Sequence, residues 1–225
     1  MDRESLLYFS KISEWAHQHI PHLWPDRLRD GLRDPNQHIN TLCEVWWLSQ
    51  VVGAIYASVE HAVPKDPARP KGSNFDWRLQ LTSAITLSLE VKRRPGDIGR
   101  FIEDSRLKPA SLFDAIDKFG PARPPDTLNV GCIQLFGAIT PEVCRAARAW
   151  LAATPAVSAL ALYAPCIRRD RTFAVLTQPG LGYIEHLFAG PDKEDLSYFA
   201  PVTYALSAEQ FRAAYPGIDL PPVFS

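Results

Sequence analysis

Three side chains suited to acid–base or metal chemistry, Asp76, Glu90 and Lys92, fall on two adjoining segments of the chain in which apolar and polar residues alternate. The alternation covers 75–82 and 85–92, with a short break between the two segments. A period of two predicts β-strands with one buried and one polar face, and the short break predicts that the strands form a hairpin. All three chemical side chains lie at even positions, on the predicted polar face.

The predicted strand register brings the two carboxylates together. Matching the apolar faces requires even positions to pair with even positions, and a loop at 82–84 then places Asp76 directly opposite Glu90. Opposed residues of an antiparallel pair have Cβ atoms about 4.5–5.5 Å apart, so two carboxylates there repel each other unless a cation lies between them. A hard divalent cation prefers such oxygen ligands, and the Lys92 ammonium could orient a water or stabilise an anionic transition state.

Asp76, followed by thirteen intervening residues and then Glu90-Val91-Lys92, resembles the core of the restriction-endonuclease-like, or PD-(D/E)XK, nucleases. The resemblance covers roughly 36–163, and Phe75 stands where the name-giving motif has proline. It implies an α/β fold with a mixed central sheet, in which a core β-hairpin is flanked by helices. It also implies a metal-dependent endonuclease that hydrolyses phosphodiester bonds, with DNA as the expected substrate.

The resemblance further implies roles for individual residues. Asp76, Glu90 and the Val91 carbonyl would bind Mg²⁺ or Mn²⁺. Glu44, at the matching position on the preceding core helix, would complete the acidic cluster as a further metal and catalytic residue. Lys92 would position the attacking water.

Glu44 also stands out on physical grounds, because its sequence neighbours on a predicted helix at 36–62 are mostly apolar. A carboxylate in such surroundings costs several kcal/mol unless it is paired. A metal ion or Lys92 could be its partner. Glu44 could equally face a local opening to solvent, or pair with an arginine such as Arg93.

The charge distribution favours a polyanionic partner. The segment 65–108 carries ten basic and six acidic residues and has a net charge of +4, while the rest of the chain carries −5. Basic groups flanking a site are what binding to a phosphate backbone requires. The residues expected to bind nucleic acid are Lys71, Arg78, Arg93 and Arg94. A solvated basic loop is the alternative interpretation.

Composition excludes several other classes of protein. The 225 residues are 46% hydrophobic and 22% charged, so the chain can bury a core, and the net charge of −1 excludes a polycation. No two of the four cysteines have the Cys-x-x-Cys spacing of a zinc ribbon. The most apolar segment, 45–59, is shorter than a membrane span, and Met1–Glu4 lacks the start of a signal peptide. We therefore expect a cytoplasmic protein without membrane contact.

The remaining patterns predict one domain over 1–225. It would consist of an N-terminal helical extension at 1–35, a nuclease-like core at 36–163, and C-terminal strands with a short helix at 164–225. A homodimer or a protein partner could be contacted through the N-terminal helix. Periodicity and helix-breaking residues predict helices at 5–20, 36–62, 110–119, 141–153 and 208–215, and further strands at 128–136, 157–163, 172–177 and 182–188.

Two alternatives to a nuclease stay open at this point. One is a non-catalytic module on the same fold that binds nucleic acid or a protein. The other is an unrelated α/β interaction protein whose hairpin face is merely solvated. The positions of Asp76 and Glu90 relative to each other discriminate between a site and a solvated face.

Overall fold

The computed structural model describes residues 3–23, 28–34, 37–52, 54, 57–64, 74–94, 119, 123–135, 139, 141–163 and 173–188. The helix predicted at 208–215 and all but the last residue of the helix predicted at 110–119 lie outside these residues. Lys71 and its basic, proline-rich loop lie outside them as well. The predicted domain boundaries stay predictions.

Along the chain, the described residues form three helices, four strands, a further helix, two strands and a 3-10 helix. The helices are α1 (Arg3–His19), α2 (Arg29–Arg33), α3 (His38–Ser49), α4 (Pro141–Ala153) and a 3-10 helix (Gly182–Leu187). The strands are β1 (Ser58–Pro64), β2 (Asn74–Gln80), β3 (Thr86–Arg94), β4 (Thr127–Leu135), β5 (Ala159–Tyr163) and β6 (Phe173–Thr177).

All six strands join one sheet in chain order. The pairs β1–β2, β2–β3 and β5–β6 are antiparallel, whereas β3–β4 and β4–β5 are parallel. A parallel pair needs a long crossover connection, and the connection between β4 and β5 contains α4. The predicted α/β class, with a mixed sheet flanked by helices, is confirmed at this level.

Two apolar clusters pack on the sheet. The first joins α1, α3 and the 3-10 helix to one face, with Trp46, Trp47 and Trp77 among its fully buried side chains. The second joins α4 to the opposite face through residues such as Val143 and Leu160. Strands covered on both sides need apolar residues at nearly every position, as the wholly buried β5 shows. No helix of the described residues is long and apolar enough to cross a membrane.

The single long helix predicted at 36–62 is wrong. Helix α3 ends at Ser49, and Ser58–Pro64 forms β1. In β1, Val59 and Val63 are buried while Glu60 is exposed, and the strand pairs along β2. Pairing with a neighbouring strand decides the conformation of such an apolar, valine-rich segment, because β-propensity reflects packing on the sheet.

The strand predicted at 182–188 is also wrong, since most of this segment is the 3-10 helix. Its buried residues, Tyr183, Ile184 and Leu187, recur at helical spacing rather than at every second position. A turn with Gly180 at φ +80° precedes it, a conformation that glycine adopts without steric cost.

Candidate active site

The β2–β3 hairpin has the register that the sequence predicts. Trp77 pairs with Leu89, and the ladder continues in that register to the loop at 82–84. The Thr82 hydroxyl accepts hydrogen bonds from the N–H groups of residues 84 and 85, which closes the turn. The next pair beyond Trp77 would be Asp76 with Glu90, and the ladder ends there.

The Asp76 side chain connects β2 to β3 beyond the last backbone pair of the ladder. Its Oδ2 accepts a hydrogen bond of 2.6 Å from the Val91 N–H. Phe75 and Trp77, two residues apart, fall in different core clusters, although such residues share a face on a regular strand. The Asp76 carboxylate therefore bridges β2 and β3 beyond the last pair of their ladder.

The neighbouring strand β1 is distorted at the same level. Ala62, which lies between the His61–Trp77 and Val63–Phe75 pairs of the β1–β2 register, has φ +52°. This left-handed conformation costs a non-glycine residue about 1–2 kcal/mol. Backbone strain of this kind clusters at functional sites, so its coincidence with Asp76 supports a site at this position.

Glu90 is fully buried and paired. Its Oε1 lies 2.7 Å from the Lys92 Nζ, and the Lys92 side chain is 25% exposed. Ser88 on the same face is buried too. The polar face that the sequence predicts is therefore itself covered on β3 at this end, which argues against the alternative of a merely solvated hairpin face. A buried carboxylate requires a partner, and Lys92 supplies it.

Three carboxylates from three elements influence one another. The pKa of Asp76 is raised from its ordinary value of 3.8 to about 7. Burial is the largest cause, and the nearby charges of Glu90 and Glu44 contribute the rest of the increase. The Val91 N–H and the Lys92 ammonium act in the opposite direction, since both favour the carboxylate form. Asp76 consequently titrates near neutral pH, as groups in catalytic sites often do.

Glu44 has a partner that sequence reasoning missed. Its Oε2 lies 3.1 Å from Nε2 of His61 on β1. The sequence did not indicate His61 as the partner of Glu44, because the pattern at 36–62 favours a helix. Interpreting the alternation around Val59 and Val63 as a strand would have placed His61 beside β2.

Two buried thiols lie near the cluster. Burial raises the pKa of both Cys43 and Cys132, and the carboxylates of the site raise it further. Cys43 donates a hydrogen bond of 3.0 Å to Oε1 of Gln134. Both thiols therefore stay protonated and act as packing groups, since a thiol needs a lowered pKa to be reactive.

The predicted nucleic-acid-binding residues that the structure describes have different contacts. Arg93 Nη1 donates to Oδ1 of Asn40 on α3 at 3.3 Å. The Arg78 guanidinium lies 5.7 Å from the centre of the Phe75 ring. Arg94 ends β3, and its side chain, like Lys71, lies outside what the structure describes. Arg93 therefore faces the α3 side of the sheet, whereas Lys92 belongs to the acidic cluster.

The cluster can be tested for its fit to a divalent cation. Within the described ranges, no three His, Cys, Asp or Glu side chains are arranged to hold a metal ion. The oxygens of Asp76 and Glu90 are nevertheless of the kind that Mg²⁺ and Mn²⁺ prefer. Such a cation would also relieve the repulsion that helps to raise the pKa of Asp76. The donor set therefore fits the ion in ligand chemistry and in charge.

No protein-family model, curated protein or solved structure matches this chain. The features from which a function can be inferred are those of the site itself. They are the bridging Asp76, the buried Glu90 with Lys92, and the Glu44–His61 pair.

Proposed function

We propose that this protein is a metal-dependent endonuclease that hydrolyses phosphodiester bonds in DNA. The observation that carries the proposal is the meeting of Asp76, Glu90 and Lys92 beyond the last pair of the β2–β3 ladder. Glu90 is fully buried, and Lys92 lies two residues along the same strand. Burying a carboxylate costs several kcal/mol, so a chain selected for stability alone has little reason to place Glu90 there.

The order of elements supports a restriction-endonuclease-like core. Helix α3 precedes the antiparallel strands β1, β2 and β3, and β4 then joins β3 in parallel. The resemblance requires a helix, three strands, a helix and a strand. Strand β1 supplies the first core strand, which the sequence pattern does not reveal. The crossover between β3 and β4 is where the second core helix, expected at 110–119, would lie.

Each described residue of the site has a role in this proposal. Asp76 and Glu90 would hold Mg²⁺ or Mn²⁺ together with the Val91 carbonyl, and Glu44 would add negative charge beside them. The bound ion would supply Lewis acidity for in-line attack of water at phosphorus. Lys92 would position that water and stabilise the charge that develops on the phosphoryl oxygens. Its partial exposure gives it access to a substrate.

The pairing of Lys92 with Glu90 adjusts both groups for this chemistry. The ion pair offsets the cost of burying the Glu90 carboxylate, which can therefore serve as a ligand at this position. It also fixes the ammonium beside the carboxylate cluster instead of letting it extend into solvent. A preorganised donor of this kind loses little energy to reorganisation during the reaction.

Cleavage of supercoiled plasmid tests the proposal. The wild-type protein should nick the plasmid with Mg²⁺ or Mn²⁺ and should stop when a chelator is added. Lys92→Met should lower the rate by at least about 100-fold, comparable to the loss of one preorganised electrostatic donor. Lys11→Met, on α1, is the matched control and should cleave like wild type. Cleavage by Lys92→Met at the wild-type rate would refute the assigned mechanism.

A second candidate is a non-catalytic nucleic-acid-binding module on the same fold. The observation in its favour is that the three carboxylates already have protein partners: Val91, Lys92 and His61. Such a module would bind a labelled DNA duplex without cleaving it in any divalent cation. Its affinity would not change when Asp76 is replaced.

A further inference from the structure

His61 lies between the Trp77 indole and the Glu44 carboxylate and contacts both. His61 lies on β1 opposite Trp77 of β2, and its ring centre is 4.5 Å from the indole at an angle of 47°. Its Nε2 lies 3.1 Å from Oε2 of Glu44. The side chain is only 15% exposed, so both contacts are made largely out of solvent.

Glu44 is consequently anchored at two points. The Trp77 indole N–H donates to the Glu44 backbone carbonyl at 2.9 Å, and His61 holds the carboxylate. Trp77 is 0% exposed, so this anchor is rigid. A glutamate side chain without such contacts would sample many rotamers, and ordering it would cost up to about 2 kcal/mol. The stack of His61 on Trp77 thus fixes an acidic side chain near Asp76.

We propose that His61 is a positioning residue that holds the Glu44 carboxylate near Asp76, where it can contribute to binding a divalent cation. This inference rests on the proposed nuclease function and adds a residue to its site. Hydrogen bonds to a ligating group typically change metal affinity or activity 10–100-fold when they are removed. His61 would act through Glu44, without touching the ion or the substrate itself.

Two substitutions separate the hydrogen bond from the ring. His61→Phe keeps an aromatic ring against Trp77 and loses the bond to Glu44. His61→Gln loses the ring but keeps an amide nitrogen that reaches about as far as Nε2. His22→Phe is the matched control, because His22 makes a contact of the same length, 3.1 Å, to the Val59 carbonyl of the same strand.

Calorimetric titration with Mn²⁺ and steady-state cleavage kinetics are the readouts. His61→Phe should weaken Mn²⁺ binding by at least about 10-fold and lower kcat to a similar extent, with KM changed less than about 2-fold. His61→Gln should stay within about 3-fold of wild type, and His22→Phe should match wild type. If His61→Phe does not fold, His61→Asn, whose amide is too short to reach Glu44, should show the same losses.

The outcomes separate this inference from the proposed function. Wild-type Mn²⁺ affinity in His61→Phe, or equal losses in His61→Gln and His61→Phe, would overturn the positioning role. If wild type binds Mn²⁺ and His61→Phe binds it more weakly, but neither cleaves DNA, the positioning role stands and the nuclease function fails. Absence of Mn²⁺ binding by the wild type would overturn both.

Discussion

Replacing Asp76 with asparagine should stabilise the protein at alkaline pH. The pKa of Asp76 is raised from 3.8 to about 7 in the folded state, mainly by burial and then by Glu90 and Glu44. Between these two pH values the folded protein binds a proton that the unfolded chain has released. The free energy of unfolding therefore falls as pH rises through this window, and the penalty becomes constant about one pH unit above the folded pKa. Asparagine carries no charge and can still accept the Val91 N–H.

The size of this stability difference follows from the pH range between the two pKa values of Asp76. Each pH unit within it changes the free energy of unfolding by about 1.4 kcal/mol. Between pH 5 and pH 7, Asp76→Asn should thus gain about 2 kcal/mol relative to wild type, because Asp76 is already half ionised at pH 7, and the difference should level off about one pH unit higher. Urea denaturation at several pH values, in buffer with chelator, measures the difference. Asp126→Asn, which changes an exposed aspartate, should follow the wild-type curve. Parallel pH profiles for wild type and Asp76→Asn would refute the electrostatic account of the cluster.

Two further substitutions test the packing of the site. Lys92→Met should lower the free energy of unfolding by about 3 kcal/mol at pH 7, because it leaves Glu90 buried without its counter-charge; a change below about 0.5 kcal/mol, usual for exposed positions, would contradict the observed burial. Ala62→Gly should raise the free energy of unfolding by roughly 0.5–1 kcal/mol, because glycine adopts φ +52° without strain but loses more entropy on folding. Ala62→Val should lower it, and equal urea midpoints for the two Ala62 variants would argue against strain in β1.

The hairpin could be predicted from the sequence because its signals are local. Alternation with period two assigns each residue to a face, and the loop at 82–84 sets the register that brings Asp76 towards Glu90. The burial of Glu90 could not be predicted in this way. A strand's own period separates its faces, whereas chain from elsewhere in the fold decides whether a polar face is covered.

Strand β1 and His61 escaped prediction for a related reason. The run from Trp46 to Tyr56 is apolar on nearly every side, which favours a buried helix, and the predicted helix continues from it to Ala62. Pairing with β2 determines the conformation of Ser58–Pro64, and the sequence of this segment alone does not predict that pairing. The partner of Glu44 depended on that strand, so the Glu44–His61 pair could not be anticipated.

The most direct test of the central claim is plasmid cleavage by Asp76→Asn in Mg²⁺, measured beside its thermal stability at pH 8. The variant should unfold at a higher temperature than wild type in chelator and yet cleave no plasmid, because the buried Asp76 charge that destabilises the apo fold is also the ligand that the divalent cation requires. Loss of activity together with a raised unfolding temperature would separate a missing ligand from a damaged fold. Wild-type cleavage by Asp76→Asn would contradict the proposal that this carboxylate belongs to a metal-dependent nuclease site.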